Sequence, residues 1–172
     1  MVSQLVGAGP AEGIFHAGER RAQITWGDPA IWNDARVKQL LWNKIPAKFN
    51  ARIEAAPFFF LATSDSHGRC DSSFKGGGPG IVRILAPDRL AFADFDGNGA
   101  FMSIGNILEN PNLGMLFVDF SDGARLRING HATVHDNGEI VGLFRNASRA
   151  IVVDVELVVP NCAKHVPHLI PG

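Results

Sequence analysis

The sequence predicts a mainly β protein, an antiparallel sheet closed or split into a barrel, with a helical segment on its N-terminal side. Three observations carry this expectation. Short apolar runs recur between residues 58 and 159, separated by Gly, Pro and Asp turn signals. The run 125–135 alternates, with Leu126, Ile128, Ala132 and Val134 opposite Arg125, Arg127, Asn129, His131, Thr133 and His135. No strand–helix unit repeats, which argues against a parallel doubly wound sheet.

Composition narrows the class. The 172 residues correspond to roughly one domain, and 46% hydrophobic with 19% charged residues rules out wholesale disorder. Sixteen basic against 17 acidic side chains leave a net charge of −1, without the electrostatic footprint of a nucleic-acid binder. There is no Tyr to act as acid or stacking platform. Cys70 and Cys162 are too few for a disulfide framework and fit the reduced thiols of a cytosol. MVSQLVGAGPAEG lacks the pattern of a signal peptide, and no run approaches the roughly 18 apolar residues of a membrane helix. The expected setting is cytoplasmic, with neither nucleic acid nor membrane as partner.

Residues 1–30 mix Gly, Pro and charge with little periodicity and read as an arm; residues 31–172 read as a single domain. Within the arm, Val6-Gly7-Ala8-Gly9-Pro10 looks like part of a dinucleotide loop, but Glu12 stands where the third Gly belongs and too little chain precedes it for a strand. The segment 31–54 has helical spacing through Val37, Leu40, Leu41 and Ile45, and Pro46 should split it. Strands are expected over 58–64, 69–75, 81–86, 90–96, 113–120, 125–135 and 149–159. The breaker GGGPG at 76–80 reads as a wide hairpin connection. Helices are expected at 100–110, stopped before Pro111, and at 137–147. The tail from Pro160 is expected to be irregular. Trp26, Trp32 and Trp42 read as core or interface anchors. The apolar excess of 58–64 and 149–159 exceeds what one small barrel covers, which predicts a homodimer.

Several residues carry candidate chemistry. Ser73 and Lys75 share one strand face, and a hydroxyl beside an ammonium at a Gly-rich strand end has the chemistry of a monophosphate clamp; a solvated lysine is the plainer alternative. Asp94-Phe95-Asp96-Gly97-Asn98-Gly99 matches the first half of a calcium loop, but Gly105 stands where the twelfth position needs Glu. It reads instead as a turn leading into a helix whose start suits an anion. Cys162-x-x-His165-x-x-His168 has donor types suited to zinc but no evident fourth ligand, so no metal is expected. Neither G-x-S-x-G nor H-E-x-x-H is present, so hydrolase chemistry has no anchor.

The order of these segments is more telling than any one of them. FFFLATSDSHGRCDSSFKGGGPGIVRIL, LAFADFDGNGAFMSIGNILENPNLGMLFVDF and RLRINGHATV together resemble the pyridoxamine 5′-phosphate oxidase-related FMN-binding family. FHAGERRAQ and PNCAKH look similar to a bacterial subgroup of it. The resemblance implies an FMN-binding split β-barrel, a homodimer with FMN at the subunit interface, and an oxidoreductase acting on a small-molecule substrate. It implies cofactor contacts at Ser72, Ser73, Phe74, Lys75, Asp94, Phe95, Asn98, Gly99, Arg125 and Arg127. Lys75 and Ser73 would hold the phosphate with the 97–99 turn, and Arg125 would face the electron-rich flavin edge. Cys162, Lys164 and His165 would line the substrate side. The chain departs from the oxidase where its basic pair would stand, near Gly99 and Ala100. It also lacks the oxidase's C-terminal Trp and Arg-Leu-Ala-Pro signature. The substrate is therefore open. The other readings are a non-catalytic flavin-binding module, a split barrel using a deazaflavin, and a haem-handling one with His131, His135 or a tail histidine as axial ligand.

Overall fold

The computed structural model describes residues 14–161, 164–167 and 169. The chain divides into two compact units, Met1–Leu41 and Trp42–Gly172.

In the first unit, α1 (Ala17–Trp26) lies inside the stretch whose sequence shows little periodicity. A capping box starts it: His16 Nδ1 accepts from the Gly18 and Glu19 N–H groups, and the Glu19 carboxylate accepts from the His16 N–H. No residue of α1 is buried, so no apolar stripe marks it in the sequence. His also stands where Ser, Thr, Asp or Asn is the usual signal. Trp26 is 85% exposed and anchors nothing among the described residues. A 3₁₀ turn at Pro29–Trp32, capped by Asp28, leads to α2 (Asp34–Leu40), capped by Asn33. The Phe15 and Trp32 rings meet edge-on at 5.2 Å.

The second unit opens in extended backbone. Trp42 exchanges backbone hydrogen bonds with Val158, which breaks the helical spacing of 31–54 ahead of Pro46. A 3₁₀ turn at Ala47–Phe49 then runs into α3 (Asn50–Ala55). The strands are β1 (Phe58–Ser64), β2 (Cys70–Gly76), β3 (Val82–Ala86), β4 (Arg89–Asp94), β5 (Asn112–Val118), β6 (Arg125–His135) and β7 (Arg149–Asn161). They form one seven-stranded sheet ordered β2-β1-β5-β6-β7-β4-β3, with every pair antiparallel.

This order forces curvature. β2 and β3 are the two edges, yet only residues 77–81 join them. That connection spans at most about 21 Å, whereas a flat sheet would set its edge strands about 29 Å apart. The sheet therefore curls until its edges approach, the geometry of a split barrel. The 76–80 breaker is thus not a hairpin connection, because the strands it joins do not pair. Its amides are also spent: Gly77 and Gly78 donate to Pro57 O, and Gly80 donates to Glu54 O.

The curl encloses the core. Phe59, Leu61, Phe92, Met115, Ile128, Ile151 and Val153 are at most 1% exposed. Phe59 meets Phe92 edge-on at 5.1 Å and Phe117 at 5.5 Å. The β6–β7 register shifts at Asn129/Gly130. A Cβ on Gly130 would collide with the Asp154 carbonyl oxygen, so only glycine admits that approach. α4 (Met102–Glu109) crosses from β4 to β5. In 137–147 the helix is limited to α5 (Glu139–Gly142), entered through Gly138 at φ 85°. Among the described residues no helix is long and apolar enough to cross a membrane.

Candidate functional site

Strand alternation divides β2 between two environments. Asp71, Ser73 and Lys75 are half-buried on its inner face, while Cys70, Ser72 and Phe74 are exposed on its outer face. The inner trio lines a cavity of about 280 Å³ with Asp94, the 97–101 turn, the first turn of α4 and Arg149.

The cavity floor is a hydroxyl chain. Ser103, 6% exposed, donates from Oγ to the Asp71 carboxylate at 3.3 Å. Ser73 Oγ lies 3.0 Å from Ser103 Oγ. A serine hydroxyl has one proton and two lone pairs. Since Ser103 spends its proton on Asp71, Ser73 donates to Ser103, and the Ser73 lone pairs are left toward the cavity.

The far end is cationic. Lys75 Nζ, on a side chain 19% exposed, makes one long contact among the described residues, 3.6 Å to Asp94 Oδ1. An ammonium has three N–H donors, so its capacity is far from used. Beside it the turn closes with Asn98 Oδ1 accepting from the Ala100 N–H at 3.0 Å and Gly99 at φ 76°. Phe101 then enters the left-handed region at φ 51°, and no side chain caps α4. The first-turn amides of α4, with the positive end of the helix dipole, therefore open on the cavity.

Arg149 braces this end. The register of β4 on β7 sets Asp94 opposite Arg149. The guanidinium donates to Asp94 Oδ2 at 2.8 Å and to Asp96 Oδ1 at 3.3 Å, and it lies 4.9 Å over the Phe101 ring. Its hydrogen bond to Asp94 is the chief cause that raises its pKa above the ordinary arginine value. Asp94 and Asp96, which look like calcium-loop positions in the sequence, thus serve an arginine. Among the described residues no cluster of His, Cys, Asp and Glu is arranged to hold a metal.

Of the residues singled out from the sequence, Ser73, Phe74, Lys75, Asp94, Phe95, Asn98 and Gly99 line this cavity. Ser72 faces outward, and Arg125 and Arg127 lie on the outer face of β6, three strands from β2. Arg127 donates to Asn161 Oδ1 at 3.0 Å and Arg125 reaches the Lys164 carbonyl at 3.5 Å. His131 contacts Glu156 at 3.3 Å on an exposed surface. Lys164 and His165 are exposed; Cys162 and His168 lie outside the described residues. Sequence reasoning missed Asp71, Ser103 and Arg149. Alternation from Ser73 and Lys75 points to Asp71; only strand register and helix docking bring in Arg149 and Ser103.

An aromatic cluster lies on the other face of β1 and β2, reaching the cavity only through Phe74. Phe58 stacks on Phe74 at 5.1 Å and on Phe120 at 6.2 Å, and Phe60 meets both Phe58 and Phe74 at 6.0 Å. Phe74 is 61% exposed and belongs both to this face and to the cavity wall.

Comparison with known proteins matches residues 45–161, most of the barrel unit, to the family model for pyridoxamine 5′-phosphate oxidase. Among solved structures, HupZ of Group A Streptococcus is 15% identical, with 74% of this chain and 100% of that chain covered and a TM-score of 0.53. A Lactobacillus delbrueckii protein, provisionally described as a pyridoxamine 5′-phosphate oxidase, is 17% identical over 68% of this chain and 94% of its own, with a TM-score of 0.53. General stress protein 26 of Bacillus anthracis is 16% identical over 66% and 92%, at 0.50. At such identities the likeness is one of fold. No curated protein matches this chain.

Proposed function

The chain belongs to the pyridoxamine 5′-phosphate oxidase family, and from that premise we propose that it binds flavin mononucleotide and works as a flavin-dependent oxidoreductase on a small-molecule substrate. The observation that carries the reading is the cationic end of the cavity. Lys75 has unspent donors beside the uncapped first turn of α4. Ammonium and helix amides together suit a phosphate monoester.

The residues present fit that group. Asp94 is already paired with Arg149, so the carboxylate nearest Lys75 offers a dianion reduced repulsion. A volume of about 280 Å³ sits at the lower edge of small-molecule sites. It suits the phosphate and polyol tail, and leaves the three-ring system for the mouth beside Phe74. When bound, the flavin supplies hydride and electron transfer. The chain's own part is to hold the tail at Lys75 and the 97–103 backbone and to offer an apolar wall at Phe74.

The aromatic cluster of Phe58, Phe60, Phe74 and Phe120 supports a second copy of the chain as its cover, since Phe74 stands 61% exposed on three half-buried rings and large exposed apolar groups in a cluster mark interaction surfaces. Flavin affinity is then expected to rise with protein concentration; sedimentation of a flavin-loaded monomer overturns this part. The cofactor reading is tested by an absorbance scan of fresh protein and an FMN titration. A sample that stays colourless with FMN overturns it. Anaerobic mixing of the FMN-loaded protein with NADH or NADPH tests the catalytic part. Bleaching of the oxidised flavin band as NADH or NADPH passes its hydride to the bound FMN is expected, and a flavin that no donor reduces points to a passive binding module.

A further inference from the structure

We propose that the Asp71–Ser103–Ser73 chain is a hydroxyl-reading subsite: it accepts hydrogen bonds from the polyol chain of the bound nucleotide, and it does not contact the phosphate. The proposal rests on the flavin reading above and deepens it, because it assigns the two ends of one cavity to two different parts of the ligand.

The argument is one of proton direction. Asp71, as a carboxylate, only accepts. It takes the proton of Ser103 at 3.3 Å, and Ser103 in turn takes that of Ser73 at 3.0 Å. The chain therefore terminates in lone pairs on Ser73 and in the remaining oxygen sites of Asp71, both at the cavity wall. A phosphate dianion has no proton to give and meets only repulsion there. A hydroxyl has one, and a row of hydroxyls along a polyol meets a row of acceptors. At the other end the Lys75 ammonium and the α4 amides supply donors, and the acceptor among them, Asp94, is held by Arg149. The cavity is thus polar in a directed sense, donors at one end and acceptors at the other. That is the pattern a phosphorylated polyol presents in reverse. Ser103 is buried on α4 and Asp71 is part of β2, so the fold brings the carboxylate to the start of the hydroxyl chain, and a carboxylate there favours protons running toward it.

The test is a binding matrix read by flavin fluorescence quenching. The probes are FMN and a synthetic flavin phosphate whose five-carbon chain carries no hydroxyls. The proteins are the unaltered chain, Ser73→Ala and Asp71→Asn, each checked by thermal melting. The unaltered chain is expected to prefer FMN over the unhydroxylated analogue. Ser73→Ala is expected to weaken FMN about three- to tenfold, the scale of one neutral hydrogen bond, and to leave the analogue within about twofold. Asp71→Asn alters the charge seen by both probes, so its readout is the ratio of the two affinities, which is expected to narrow. Equal weakening of both probes by Ser73→Ala assigns Ser73 to the phosphate and overturns the proposal, as does no effect on either. Absence of FMN binding by the unaltered chain is a separate outcome and overturns the flavin reading itself.

Discussion

Two arginines in this molecule each hold two aspartates, and they do different work. Arg52 contacts Asp122 at 2.7 Å and Asp119 at 4.0 Å, with its side chain 43% exposed. Arg149 contacts Asp94 at 2.8 Å and Asp96 at 3.3 Å, with its side chain 19% exposed. The Arg52 set joins α3 to the turn after β5 and flanks an apolar hollow formed by Ile53, Phe117, Leu126 and their neighbours. It has one cation for two anions, so it leaves nothing with which to bind a further anion. The Arg149 set has a second cation, Lys75, attached by a single long contact to a carboxylate that Arg149 already occupies. The same charges at similar distances therefore make a staple in one place and a receptive site in the other. What separates them is surplus donor capacity and the uncapped helix start beside it.

The comparison breaks first at Lys75. Lys75→Ala is expected to weaken FMN binding by about 1.5–3 kcal/mol, the range for a charge-assisted hydrogen bond, measured by isothermal titration. Unchanged affinity moves the phosphate elsewhere. Arg149→Ala comes next. It removes the partner that keeps Asp94 from claiming Lys75 and leaves Asp94 and Asp96 facing each other. We expect a stability loss of about 1–3 kcal/mol in urea unfolding, below the range for a fully buried pair because the network is partly exposed. FMN affinity should fall with it; retained affinity separates the brace from the site. Arg52→Ala is the control. It should lower the melting temperature by less than Arg149→Ala, because exposed pairs contribute little, and keep FMN affinity within about twofold. A large loss of FMN binding there would erase the distinction between the two sets.

The smallest expected effect is on pH. Asp122 is held below the ordinary carboxylate pKa chiefly by its hydrogen bond from Arg52, and Asp119 chiefly by those from Ser121. A lowered folded pKa favours the folded state above the unfolded value of about 3.9. That contribution is lost as pH falls through the lower folded values. Melting temperature should therefore decline on acidification below about pH 4, and Asp122→Asn should flatten the decline. An unaltered profile in that variant removes Asp122 from the acid response.

Where the chain alternates strictly, its elements were legible. The run 125–135 forms a strand with those bounds, because one face has to be buried and a period of two allows only that solution, while 58–64 shows as a short apolar run bounded by turn signals. Ser73 and Lys75 fell on one face for the same reason. α1 leaves no pattern in the sequence because it buries nothing and is held at its start by His16, an unusual cap. The 76–80 breaker does not announce its role, because a Gly-rich link between two strands looks the same whether they pair or lie on opposite edges.

Local pattern thus determined the strands, their inward faces and the residue types at the rim of the barrel, since alternation and turn chemistry act between near neighbours in the chain. Tertiary structure alone decided that β2 and β4 close on each other, that Arg149 stands across from Asp94, and that Ser103 comes down onto Asp71. Those juxtapositions depend on sheet order, register and helix docking. They are set by the global burial of apolar surface, which no short window of sequence contains.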